Sequence, residues 1–159
     1  MNLYPLKFNP ILKDKIWGGK KLSKVLDKAI GTYEICGASW EIAGIEGDIS
    51  TVSEGELAGK NLVDLIDEFK GELIGDKVYQ KFGNKFPLLI KFIDANDDLS
   101  IQVHPDDVLG MKRHKSFGKT EMWYVVHAEE GATLISGFNK QTNKEEYLRV
   151  FEAGNLTDI

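Results

Sequence analysis

A chain of 159 residues with 42% hydrophobic and 28% charged side chains has the make-up of one globular domain with a real hydrophobic core. Its net charge of −5, with both signs scattered, argues against a nucleic-acid partner; the densest basic run, Lys112-Arg113-His114-Lys115, reads as a solvated helix face. The single cysteine, Cys36, excludes an intramolecular disulfide, and neither a signal-peptide pattern nor an apolar run of roughly 20 residues occurs, so the expectation is a soluble cytoplasmic protein without a membrane partner.

Residues 1–19 read as extended and irregular, with Pro5 and Pro10 punctuating the apolar series Leu3, Leu6, Phe8 and Ile11. Trp17-Gly18-Gly19 follows, where glycine opens backbone conformations closed to other residues. Leu22, Val25 and Leu26 are spaced for a short helix ending near Gly31. Tyr33 to Ile45 mixes β-formers with small residues and predicts one bent strand or two short ones, and Asp48 to Ser53 predicts another.

Asn61, with Asp64 three residues on, is a predicted helix cap, and Leu62, Leu65, Ile66 and Phe69 form the apolar stripe behind it. Gly71 ends that helix. Leu73, Ile74, Val78, Tyr79 and Phe82 predict a second, interrupted at Gly75. Phe86 to Ile93 predicts a central strand, Asp94 to Asp98 a turn, and Leu99 to Val103 a strand pairing back as a hairpin. Thr120 to His127 and Ala132 to Gly137 predict two more strands. Asn143 with Glu146 is a capping-box signature for a last helix carrying Tyr147, Leu148 and Phe151 and stopping at Gly154. The resulting fold class is mainly β with a helical insertion at about 58–83, a β-sandwich or jelly-roll barrel.

The chemistry concentrates between Leu99 and Tyr124. Strand side chains alternate with a period of two, so Gln102 and His104 project from one face, and Pro105 ends the ladder. Glu121 sits near the start of the next predicted strand. Two neighbouring strands thus bring an amide oxygen, an imidazole and a carboxylate together as a candidate metal site. The competing reading is a polar, solvated strand face. His127 shares strand parity with Glu121 but lies roughly 20 Å along a strand rising ~3.3 Å per residue, which removes it from the set unless the strand bends sharply. Three protein ligands suit a catalytic zinc with an open position, although nitrogen and oxygen donors admit other divalent ions. Lys119, two residues before Glu121, is placed to meet an anionic substrate. No phosphate loop, dinucleotide fingerprint or nucleophile elbow is present.

The string LLIKFIDANDDLSIQVHPDD (88–107), followed by GKTEMWYV (118–125), closely resembles the type I mannose-6-phosphate isomerases, zinc enzymes of the cupin superfamily. The similarity extends over the whole chain, including Trp17-Gly18-Gly19 and Ser39-Trp40-Glu41. The resemblance implies a cupin-type jelly-roll barrel, incomplete in this chain, with residues 1–159 as the N-terminal part of the catalytic domain. It implies zinc held by Gln102, His104 and Glu121, a sugar-phosphate pocket lined by Ser100 and Lys119, and interconversion of mannose 6-phosphate and fructose 6-phosphate through an enediol. Among these residues Lys119 is the one assigned to catalysis, as electrostatic support.

Two departures from the family pattern stand out. Ala38 occupies a position where the family commonly has glutamate, and family members are roughly twice this length, beyond a one-domain size. The missing C-terminal half, with a further histidine ligand and a substrate-binding arginine, is expected to complete the site. The alternative function is a non-catalytic cupin-like sugar-binding or regulatory module.

Overall fold

A computed structural model of the chain describes residues 3–159. The described residues form two compact units, one ending at Leu99 and one spanning Ser100–Ile159.

The first unit is organised around β2 (Ala38–Ile45), which is the antiparallel partner of three other strands. These are β1 (Ile11–Lys13), with Ile11 opposite Trp40, β3 (Asp48–Ile49), with Gly44 opposite Ile49, and β4 (Leu89–Ile93), with Ala38 opposite Ile93. Of the two readings of Tyr33 to Ile45, one bent strand or two short ones, the chain forms a single strand over Ala38–Ile45 with a register shift between Trp40 and Ile42. Gly47, at φ 85°, supplies the positive dihedral that turns β2 into β3.

Four helices complete this unit. The short α1 (Lys21–Lys24) precedes β2, while α2 (Leu62–Phe69), α3 (Gly71–Ile74) and α4 (Asp76–Phe82) follow β3. The Asn61 side chain caps α2 by accepting the Asp64 amide at 2.9 Å, as the sequence predicts. The predicted second helix is divided at Gly75, whose φ of 88° cannot continue an α-helix. Leu65, Val52 and Leu57 form the core, and Leu3, Tyr4, Leu6, Phe8, Phe69 and Leu73 pack against it.

The second unit contains α5 (Asp107–His114), α6 (Lys144–Glu152) and a 3-10 turn at Leu156–Asp158. The Asn143 side chain caps α6 by accepting the Glu146 amide at 2.9 Å. Phe138, Tyr147 and Phe151 form an aromatic series along it, edge-on at 6.1 Å and then stacked at 6.2 Å.

The expected mainly β jelly-roll barrel is overturned for the described residues. Helix accounts for 27% and strand for 17%, and the four-stranded sheet is not closed into a barrel. The predicted strands at 99–103, 120–127 and 132–137 are irregular, so the predicted hairpin lacks its second strand, and β4 pairs with β2. Alternation permits a strand, but a ladder needs a partner edge to satisfy its backbone groups. Among the described residues no segment supplies one to these stretches, and Val103, Met122 and Tyr124 are exposed. No helix among the described residues is long and apolar enough to cross a membrane.

Candidate metal centre

The centre is assembled at the start of α5. Pro105 ends the extended run that carries Ser100, Gln102 and His104, and Asp106 caps the helix by accepting the Leu109 amide at 2.8 Å. Lys115, in the left-handed conformation, closes the helix and turns the chain back. The returning segment is tied to the helix start by two bonds. Gly118 N donates to the Asp107 carboxylate at 2.9 Å, and Lys119 N donates to the Pro105 carbonyl at 3.1 Å.

This return brings three of the predicted side chains together. His104 Nε2 lies 3.4 Å from Glu121 Oε2, and Lys119 Nζ lies 3.3 Å from Glu121 Oε1. The two carboxylate oxygens therefore face different nitrogen groups. The His104 and Glu121 side chains are each one-quarter exposed, so the pair sits at an accessible but partly desolvated point. Gln102 Nε2 donates to Ser100 Oγ at 2.8 Å, a bond between two residues of the predicted pocket rather than to the imidazole or carboxylate. Its carbonyl oxygen keeps its acceptor capacity.

Among the described residues no cluster of three His, Cys, Asp or Glu side chains able to hold a metal is formed. A divalent ion here would take His104 and Glu121 as donors and need the Gln102 amide oxygen as a third. The donor chemistry fits: ligands about 2.0–2.2 Å from a tetrahedral ion stand about 3.3–3.5 Å apart, and His104 and Glu121 are separated by 3.4 Å. His127 contacts Glu129 at 3.2 Å, and His114 is exposed at the end of α5.

The other sequence elements singled out above have architectural roles in the first unit. A Cβ on Gly18 would lie 2.5 Å from Gly37 N, so glycine is required there for close backbone packing, and the Trp17 carbonyl accepts the Asn96 amide at 2.9 Å. Glu41 accepts from Ser39 Oγ at 2.6 Å and pairs with Lys28 at 2.9 Å, while the Lys28 ammonium sits 4.9 Å from the Phe92 ring centre. The Lys13 ammonium lies 4.4 Å from the Trp40 ring centre and pairs with Asp48. Ala38 is buried in the sheet between Lys13 and Ile93. Sequence reasoning missed Asp107. The signal available to it was the second aspartate of His-Pro-Asp-Asp, left over once Asp106 is assigned as the cap.

The imidazole of His104, the carboxylate of Glu121 and the ammonium of Lys119, drawn from one short stretch, form a small polar cluster. Residues 5–122 match the family model described as phosphomannose isomerase type I, catalytic domain, and the chain belongs to that family. It is 39% identical over 158 residues to the probable mannose-6-phosphate isomerase GmuF of Bacillus subtilis, covering 98% of this chain and 48% of that protein. It is 38% identical over 151 residues to a mannose-6-phosphate isomerase of Streptococcus mutans, covering 95% of this chain and 46% of that one. The crystal structure of a mannose 6-phosphate isomerase from Bacillus subtilis superposes with a TM-score of 0.78 at 33% identity, over 96% of this chain and 47% of that one. The chain thus spans about half the length of the curated relatives it matches.

Proposed function

We propose that this chain carries the zinc-binding part of a cytoplasmic aldose–ketose isomerase that interconverts mannose 6-phosphate and fructose 6-phosphate. Family membership supports the reaction class. The observation that carries the site is the 3.4 Å approach of His104 Nε2 to Glu121 Oε2, with Lys119 Nζ 3.3 Å from the other carboxylate oxygen. Gln102, His104 and Glu121 would hold the ion. Bound there, zinc would supply Lewis acidity toward the sugar oxygens that gain negative charge as the enediol forms.

The chain's own residues have separable tasks in this reading. Ser100 orients the Gln102 amide by accepting its N–H at 2.8 Å, which leaves the carbonyl oxygen to ligate the ion. Glu121, engaged at both oxygens, is a ligand rather than the group that shuttles the proton between C1 and C2. Lys119 keeps a cation beside the reacting centre, where it stabilises an anionic substrate and, with Ser100, lines the pocket.

Further polypeptide completes the site. The relatives carry about as much sequence again as this chain matches. The exposure of Val103, Met122, Tyr124, Leu134 and Ile135 supports that assignment, because apolar surface of this extent marks an interface. The test is a coupled assay for fructose 6-phosphate formation by this sequence joined to the remaining half of a relative, with and without chelator. The expected result is turnover that chelator abolishes and zinc restores; chelator-insensitive turnover, or none, sinks the reading. Ala38, buried where the family commonly carries glutamate, favours one competing reading, a non-catalytic sugar-binding module. Saturable sugar-phosphate binding without turnover in the same joined protein would select it.

A further inference from the structure

We propose that Asp107 is a positioning residue for the metal centre: its carboxylate holds the Gly118 amide and so sets Glu121 against His104. This rests on the zinc-site reading above. The two adjacent aspartates of His-Pro-Asp-Asp have different tasks. Asp106 looks into its own helix, accepting Leu109 N at 2.8 Å. Asp107, relieved of capping, accepts Gly118 N at 2.9 Å across a sequence separation of 11 residues.

The surrounding packing is built for that bond. A Cβ on Gly118 would collide with the backbone of Pro105, Asp106 and Asp107, standing 2.6 Å from the Asp107 nitrogen. A Cβ on the buried Gly110 would press against Gly118 N and the Phe117 carbonyl at 3.0 Å. Two glycines, one on each side of the contact, therefore let the backbones approach, and the Lys119 N to Pro105 O bond at 3.1 Å closes the register. His104 immediately precedes Pro105, and Glu121 lies two residues beyond Lys119. The clamp thus links the strips that carry the two nearest donors, in a region where no strand ladder fixes their register.

The test compares Asp107→Ala, Asp107→Asn and Asp106→Ala in the full 159-residue chain. Zinc affinity is read by competition with a chromophoric chelator, and amide exchange is read at Gly118 and Lys119. Outer-shell partners of metal ligands typically change affinity about 10–100-fold. Asp107→Ala is expected to weaken zinc binding about tenfold or more and to deprotect the Gly118 amide. Asp107→Asn keeps an acceptor oxygen and is expected to restore both within about threefold. Asp106→Ala removes the cap but not the clamp, so it is expected to lower helix stability and leave zinc affinity within about threefold.

Equal loss of affinity in Asp106→Ala and Asp107→Ala would reduce Asp107 to a merely structural role and overturn the proposal. So would unchanged Gly118 exchange in Asp107→Ala. A wild-type chain that binds no zinc fails the functional reading alone. The clamp is then judged by the nuclear Overhauser contact between the His104 ring and the Glu121 side chain: its loss in Asp107→Ala supports the proposal, and its retention overturns it.

Discussion

In the unit ending at Leu99, Val52, Leu57, Leu65 and Ile66 are exposed by 1% or less, whereas in Ser100–Ile159 Val103 is exposed by 76% and Met122 by 92%. The first unit has a hydrophobic cluster and a paired sheet of its own. The second relies on helix caps, the Asp107–Gly118 clamp and an aromatic series along one helix. Backbone bonded locally and apolar side chains left in solvent mark a region of low local stability. The candidate metal centre lies wholly in that second unit. It therefore rests on a few polar contacts rather than on a core already formed.

The largest expected effect tests the core on one side only. Leu65→Ala removes a fully buried side chain and should destabilise the first unit by about 2–5 kcal/mol in urea denaturation. The matched truncation of exposed Leu134 should stay within about 0.5 kcal/mol. Similar costs at the two positions would mean that Leu134 is buried in solution, and the contrast would collapse. Zinc should act in the opposite unit. At about 100 times its dissociation constant, an ion that binds only the folded state stabilises by about 2.7 kcal/mol. The expected readout is added amide protection around His104 and Glu121, removed by chelator, with none in β1–β4. Protection spread equally over both units would show that binding is not local to this centre.

What the sequence made legible follows from how local each signal is. Asn61 with Asp64 and Asn143 with Glu146 announce helices within one turn, and both caps form. Gly75 announces its break because the required dihedral belongs to the residue itself. The strands at 99–103, 120–127 and 132–137 fail because alternation is local while a ladder partner is not. Two adjacent strands are expected to carry Gln102, His104 and Glu121 to one point; the chain instead brings His104, Lys119 and Glu121 close by folding back at Lys115 after α5. Asp107 escaped notice because only the fold-back gives it Gly118 as a partner.

The two helix caps allow a finer comparison between the units. Asn61→Ala and Asn143→Ala should each cost about 1 kcal/mol, but with different reach. Leu65 and Ile66 bury α2 in its unit, so loss of the Asn61 cap should appear as a lower global midpoint. Only Val150 is buried on α6, so loss of the Asn143 cap should appear mainly as faster local exchange over residues 144–147. A lower global midpoint from Asn143→Ala, without local exchange, would show that α6 is integrated as firmly as α2.

Two surface ion pairs give the smallest effects, and they have opposite signs in pH. In the first unit, Glu54 accepts a hydrogen bond from Lys7 at 2.9 Å and raises the lysine above its ordinary value of 10.5. A raised folded-state value means the stabilisation is complete below the unfolded value and disappears as pH rises through the folded one. In the second unit, the Lys140 ammonium at 2.9 Å and then the Thr142 hydroxyl lower the Glu146 carboxyl from its ordinary 4.5. Its stabilisation is complete above the unfolded value and disappears as pH falls through the depressed folded one. The Glu146 carboxyl, followed by carbon-13 titration, should return toward the ordinary range in Lys140→Ala and by less in Thr142→Ala. A larger response to Thr142→Ala would reverse the order of the two causes. Because the Lys7–Glu54 pair is exposed while Glu146 is only partly so, added salt should shrink the first shift more than the second. A Glu146 shift wholly insensitive to salt would mean that the start of α6 is more shielded in solution than its partial exposure implies.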